Sequence, residues 1–192
     1  MKKMMDSGNI PNIKREYPHE EVLVVAHEAG HSVFGAIFDI PMEYVEVTTK
    51  KIRGVEYISG YSSNIPHEVT MRGMSKDEKE RYGVLWWISS AAGIAAEMLL
   101  GETNRTKQWK EDIRQLIAFT ENTDINIPIA IVMVLFSEYP GICDAQNIIF
   151  QKLLTERRID GVELQTIVDS KVTRKEKNEI KNKIWNKLLP PN

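Results

Sequence analysis

Ala26-His27-Glu28-Ala29-Gly30-His31 lies inside an apolar run that also holds Val22, Leu23, Val25, Val33 and Phe34. The spacing predicts a helix, on which residues four apart stack on one face. His27 and His31 can then aim two imidazole nitrogens at one metal ion, zinc being the usual occupant of such a site. Glu28 lies one residue round the helix, placed to hold and deprotonate a water at that metal. The pattern points to hydrolytic chemistry with the metal as Lewis acid and the carboxylate as general base. Two imidazoles among so many apolar residues are costly to bury without a partner, and a metal serves both.

The 192 residues suffice for one buried core, and 42% hydrophobic with 27% charged residues is ordinary for a globular chain. A net charge of −2 implies no overall pull towards nucleic acid, and no nucleic-acid partner is expected. The single cysteine, Cys143, excludes an internal disulfide framework and suits a reducing, cytoplasmic location. The start of the chain lacks the apolar core of a secretory signal. The most span-like stretch, 84–100, contains Glu97 and reads as a buried helix, so no membrane span is expected.

Residues 1–16 read as a flexible leader, followed by a main domain over 17–169 and a C-terminal amphipathic helix within 170–192. The motif helix starts near Pro18 and runs to about residue 38, where Asp39-Ile40-Pro41 breaks it. Gly30 and Gly35 are unfavourable inside a helix, which predicts a closely packed backbone beside each. His19, two turns before His27, is expected outside the metal site. Residues 43–49 and 55–62 read as strands of a hairpin, whose edge suits an extended peptide adding as a further strand. Residues 64–73 read as a loop with a solvated His67. Ser75 and Glu78 form a capping box opening a helix to residue 100. Residues 101–106 read as a loop, with further helices over 108–121, 128–136, 144–156, 161–169 and 172–189. Thr173 and Glu176 repeat the capping box, and Ile180, Ile184, Leu188 and Leu189 form a stripe expected to dock on the body. The fold class is mainly α (α+β), with a small β-hairpin or sheet beside the motif helix.

A catalytic zinc needs about three protein ligands and one open position. With His67 disfavoured, the third is a carboxylate, and Glu97, Glu111, Asp112 and Asp144 remain open by residue type.

Ala26-His-Glu-Ala-Gly-His31, Ala92-Gly-Ile-Ala-Ala-Glu97, Gly101-Glu102-Thr103 and Glu111-Asp112 together resemble the protease domain of FtsH-type AAA+ zinc metalloproteases. The similarity extends to Arg53-Gly54, Gly60-Tyr61 and residues 154–163, covering about 17–168. The resemblance implies His27, His31 and Asp112 as Zn2+ ligands, Glu28 as catalytic base and Glu97 orienting a histidine. Glu97 as the third ligand is the alternative. It also implies Gly54, Gly60 and Tyr61 for substrate binding and a helical metalloprotease domain. Gly93-Ile94 departs from the family's usual Gly-Arg, and 104–110 replace its short small-residue run. Neither a P-loop nor an ATPase module occurs in these residues, so the chain is read either as a free-standing relative, which Met1 and the Pro190-Pro191-Asn192 ending favour, or as a fragment of a longer one.

The resulting expectation is a zinc-dependent endopeptidase acting on short peptides or unfolded protein segments, with a AAA+ ATPase as a possible partner in trans. A non-catalytic peptide-binding or regulatory protein of the same fold is the alternative, and a zinc hydrolase of another substrate is the third.

Overall fold

The computed structural model describes residues 17–64, 67–102, 109–119 and 124–189. The leader expected over 1–16, most of the loop expected over 101–106 and the last three residues lie outside that range.

Helix α1, His19–Ile37, runs through the middle of the molecule. Glu20 and Glu21 stand in its first turn, where the positive end of the helix dipole favours them. It ends where Phe38 N–H donates to Phe34 O at 3.0 Å and Asp39 turns left-handed. Val22, Leu23, Val25, Ala29, Val33, Phe34 and Ile37 are all buried, so apolar contacts surround most of the helix.

Strands β1, Met42–Ile52, and β2, Val55–Asn64, form the expected hairpin, longer at both ends. Its turn residues Arg53 and Gly54 both have positive φ, 51° and 85°, the conformation a two-residue hairpin loop requires. The short helix α2, His67–Thr70, occupies part of the expected loop. The long helix α3, Lys76–Leu99, opens on the predicted capping box: Ser75 N–H donates to Glu78 Oε2 at 2.7 Å. Glu78 N–H donates back to Ser75 Oγ at 3.3 Å. Helices α4, Lys110–Phe119, α5, Asn126–Glu138, and α6, Pro140–Glu156, follow. Helix α6 begins earlier than expected because Pro140 is tolerated in a first turn, where its missing N–H is not needed. Helices α5 and α6 meet at 100°, and no single helix is long and apolar enough to cross a membrane.

A third strand, β3, Arg158–Asp160, was not expected. It pairs antiparallel with β1 through Tyr44–Asp160, Val45–Ile159 and Glu46–Arg158, giving the order β2-β1-β3. Arg157, left-handed at φ 68°, turns the chain out of α6 and pairs with the buried Glu21 of α1. Its carbonyl accepts from Val47 N–H at 2.8 Å.

Helix α7, Gly161–Lys171, is capped by Asp160, and α8, Arg174–Leu188, by the predicted Thr173–Glu176 box. Ile180 and Ile184 are buried where α8 packs on α3, and Lys177 donates to Ala36 O at the end of α1. The amphipathic helix therefore docks on the body, and the expected boundary after residue 169 falls inside α7.

The chain is thus mainly helical with a small antiparallel sheet. Its tightest helix contact is at Gly30, where an added Cβ would stand 2.5 Å from Ala92 O of α3. At Gly35 the neighbour is not backbone, as expected, but the Met42 side chain, whose Cε would be 2.9 Å away. These two glycines should therefore respond differently. Gly30→Ala should destabilise by about 1–3 kcal/mol, because two helix backbones must separate. Gly35→Ala should stay within about 1 kcal/mol of the parent, since helix propensity offsets a shift of a flexible thioether. Urea unfolding of both variants measures the contrast.

Candidate metal centre

His27 and His31 project from α1 towards α3, and Gly93 makes room for them. A Cβ at Gly93 would lie 2.5 Å from His31 Nε2 and 2.7 Å from His27 Nε2. Each imidazole is fixed through its other nitrogen by α3. His27 Nδ1 lies 2.7 Å from Glu97 Oε1, and His31 Nδ1 lies 2.9 Å from Ser89 O. A carbonyl and a carboxylate can only accept, so both Nδ1 atoms carry hydrogen, and in the neutral rings each Nε2 keeps its lone pair.

Those two Nε2 atoms face each other at 2.9 Å. Asp112, in the first turn of α4, completes the group: Oδ2 is 3.0 Å from His27 Nε2 and Oδ1 is 3.4 Å from His31 Nε2. Among the described residues, His27, His31 and Asp112 are the His/Cys/Asp/Glu group able to hold a metal ion. Ligands 2.0–2.1 Å from a tetrahedral zinc stand about 3.3 Å apart, so the three observed separations suit such an ion after shifts of a few tenths of an ångström. The donor chemistry suits it too, because two facing lone pairs and a carboxylate call for a cation between them.

Glu97 does not share that position. It is 2% exposed on α3 and sits behind His27, in the arrangement by which a buried carboxylate fixes the tautomer and raises the basicity of a ligand. Of the other carboxylates open by type, Glu111 pairs with Arg114 at 2.6 Å, and neither it nor Asp144 belongs to the three-residue group.

A cleft of about 610 Å³ runs along the face of α1 that presents Glu20, Val24, His27, Glu28, His31 and Gly35. Glu28 is buried in its wall, and Ser62 Oγ donates to its Oε2 at 2.7 Å. Strand β2 passes directly over this carboxylate, and an added Cβ at Gly60 would collide with the Glu28 side chain. Gly60 and Tyr61 both line the cleft, Tyr61 remaining 56% exposed. Gly54 is not brought there. It forms the hairpin turn, about 20 Å along β2 from Gly60, and its φ accounts for the glycine. His19 pairs with Glu102 at 3.8 Å, away from the centre, and the His67 side chain lies outside the described residues.

Ser62, Ser89 and Gly93 belong to the site although the sequence reading gave them no role. Ser62 shares the inward face of β2 with Gly60, a signal present in the two-residue period. Gly93 is a glycine inside a helix beside the Ala-Ala-Glu block. Ser89 fixes the His31 ring through its carbonyl, for which its residue type carries no signal, while its hydroxyl donates to His31 O at 3.5 Å.

The charges of the cluster hold a proton. Burial alone pulls the His27 imidazolium down, but hydrogen bonds to Asp112 and Glu97, with the charges of Asp112 and Glu28, raise it to about 10. Burial pushes Asp112 up, yet its hydrogen bonds and charge contacts with His27 and His31 hold it well below the usual carboxylate range. This interaction stabilises the cation-free fold fully between about pH 3.8 and 6.5, fades as pH rises through about 10, and is lost in strong acid as Asp112 takes a proton. A metal must displace that proton.

Compared with known proteins, the chain matches no family model and no curated sequence.

Two measurements test the centre. Zinc titration should give about one ion per chain, with Glu97→Ala weakening affinity by about 10–100-fold and Asp112→Ala weakening it more. Calorimetry in buffers of different ionisation enthalpy should show about one proton released per zinc at neutral pH, and affinity should rise about tenfold per pH unit from 7 towards 9.

Proposed function

We propose that this chain is a zinc-dependent endopeptidase of the HExxH type, similar in its site to the FtsH protease domain. The observation that carries the reading is the convergence of His27, His31 and Asp112 in the same cleft as the buried Glu28. Zinc held there supplies Lewis acidity that polarises the scissile carbonyl and acidifies the attacking water.

The chain's own groups do the rest. Glu28 takes the water proton on Oε1, because Oε2 accepts the Ser62 hydroxyl, and passes it to the leaving amine. Ser62 and the overlying Gly60 backbone keep the carboxylate in one orientation. The outer edge of β2 pairs with no strand among the described residues, so it can accept an extended peptide through main-chain hydrogen bonds. Towards the end of α1 the cleft is lined by Ile40, Met42 and Trp86, and receives an apolar side chain next to the scissile bond.

The substrates are short peptides or unfolded segments that can enter the edge in extended form. A AAA+ ATPase acting in trans and a cytoplasmic setting are parts of the same proposal; the lone Cys143 supports the setting.

Glu28→Gln is the decisive variant. Peptide hydrolysis should fall by about 10²–10⁴-fold while zinc stoichiometry and peptide affinity are retained. Cleavage at the parental rate refutes the mechanism. A zinc-loaded parent that binds peptides and cuts none supports the non-catalytic alternative instead.

A further inference from the structure

The hairpin carries a feature that lies outside the proposed catalysis and does not depend on it. Residues 49–57 are all exposed, so the tip projects from the body. Ile52 and Val55 are each 54% exposed and Tyr57 is 52% exposed. Ile52 is paired with Val55 and Lys50 with Tyr57, and cross-strand partners two residues apart share a face. Large apolar side chains exposed singly are ordinary, but here three are contiguous on a protrusion. Lys50, Lys51 and Arg53 surround them with only Glu56 in opposition, although the whole chain carries −2. Among the described residues no ion pair engages these three cations.

We propose that this tip docks on an anionic phospholipid surface. Ile52 and Val55 enter the boundary between headgroups and acyl chains, while Lys50, Lys51 and Arg53 contact the lipid phosphates. The dimensions agree. Tyr57 lies two residues behind Val55, about 7 Å along the strand, and interfacial segments bury their apolar side chains to about 5–10 Å. The phenol of Tyr57 then sits at headgroup level, where tyrosine is favoured. The lysine stems are long enough to run along the apolar tip and keep their ammonium groups at the phosphates. A convex, two-residue turn suits a deformable bilayer better than a preformed protein groove. Because β2 continues from this tip into the cleft wall, docking would hold Gly60 roughly 17 Å from Val55 at the surface.

Co-sedimentation of the full chain with vesicles tests the proposal. The parent should sediment with phosphatidylcholine vesicles containing phosphatidylglycerol, not with phosphatidylcholine alone, and added salt should release it. Lys50→Glu with Lys51→Glu, and separately Ile52→Ser with Val55→Ser, should each reduce partitioning about tenfold or more. Circular dichroism and zinc content should stay at parental values, since the tip touches neither core nor metal centre. Equal sedimentation with both vesicle types, or variants that bind like the parent, would overturn the proposal. Tip variants that bind vesicles normally but lose association with another protein would replace the lipid by a protein partner.

Discussion

The approach of α1 to α3 at Gly30 and Gly93 is the constraint on which the rest of the site depends. At Gly30 the backbone of α1 nearly touches Ala92 of α3, and the next residue, Gly93, clears the space that the two imidazoles occupy. With a side chain at either position, α3 would move outward. Glu97 and the Ser89 carbonyl would then leave their places behind the rings, and both histidines would lose the partners that set their tautomers. The same crossing buries Ala92 and Ala96 against Gly30, so one packing arrangement supplies both core and ligand orientation. Rigid helices, with tertiary packing on both sides, hold the ligands more firmly than loops would.

Much of this was legible because it is local or periodic. Four-residue spacing put His27 and His31 on one face, and the two capping boxes located the starts of α3 and α8 through contacts three residues apart. The stripe on α8 identified its docking face through Ile180 and Ile184. Other parts escaped because they depend on which segments meet. Glu97 and Asp112 could not be separated by spacing; that one meets Nδ1 and the other the Nε2 pair follows from where α3 and α4 lie against α1. Gly35 looked like Gly30 in sequence, yet one faces a side chain and the other a backbone. Strand β3 is only three residues between two helices, too short to show an alternation, and its strand character comes entirely from pairing with β1.

The cleft also has a direction that no single element shows. Its floor is one face of α1, and its polar and apolar ends follow from the order of residues along that helix and across β1 and β2. Strand β2 does two jobs in succession. Its inward face at Gly60 and Ser62 closes over Glu28, whereas its outward face nearer the turn is free of the body. The alternation of a single strand therefore separates an interior chemical surface from an exterior adhesive one.

The pairing of β3 with β1 has a consequence for how the molecule is made. Residues 42–52 emerge from the ribosome early, but their second neighbour, residues 158–160, is synthesised more than a hundred residues later. Until then the hairpin has two open edges, each a template for pairing with another nascent chain. Arg157 and Glu21, brought together at the same junction, add a charge pair that also spans most of the chain. The β1 edge is thus among the last parts of the sheet to close, whereas the β2 edge that a substrate would occupy pairs with no strand among the described residues even in the finished fold.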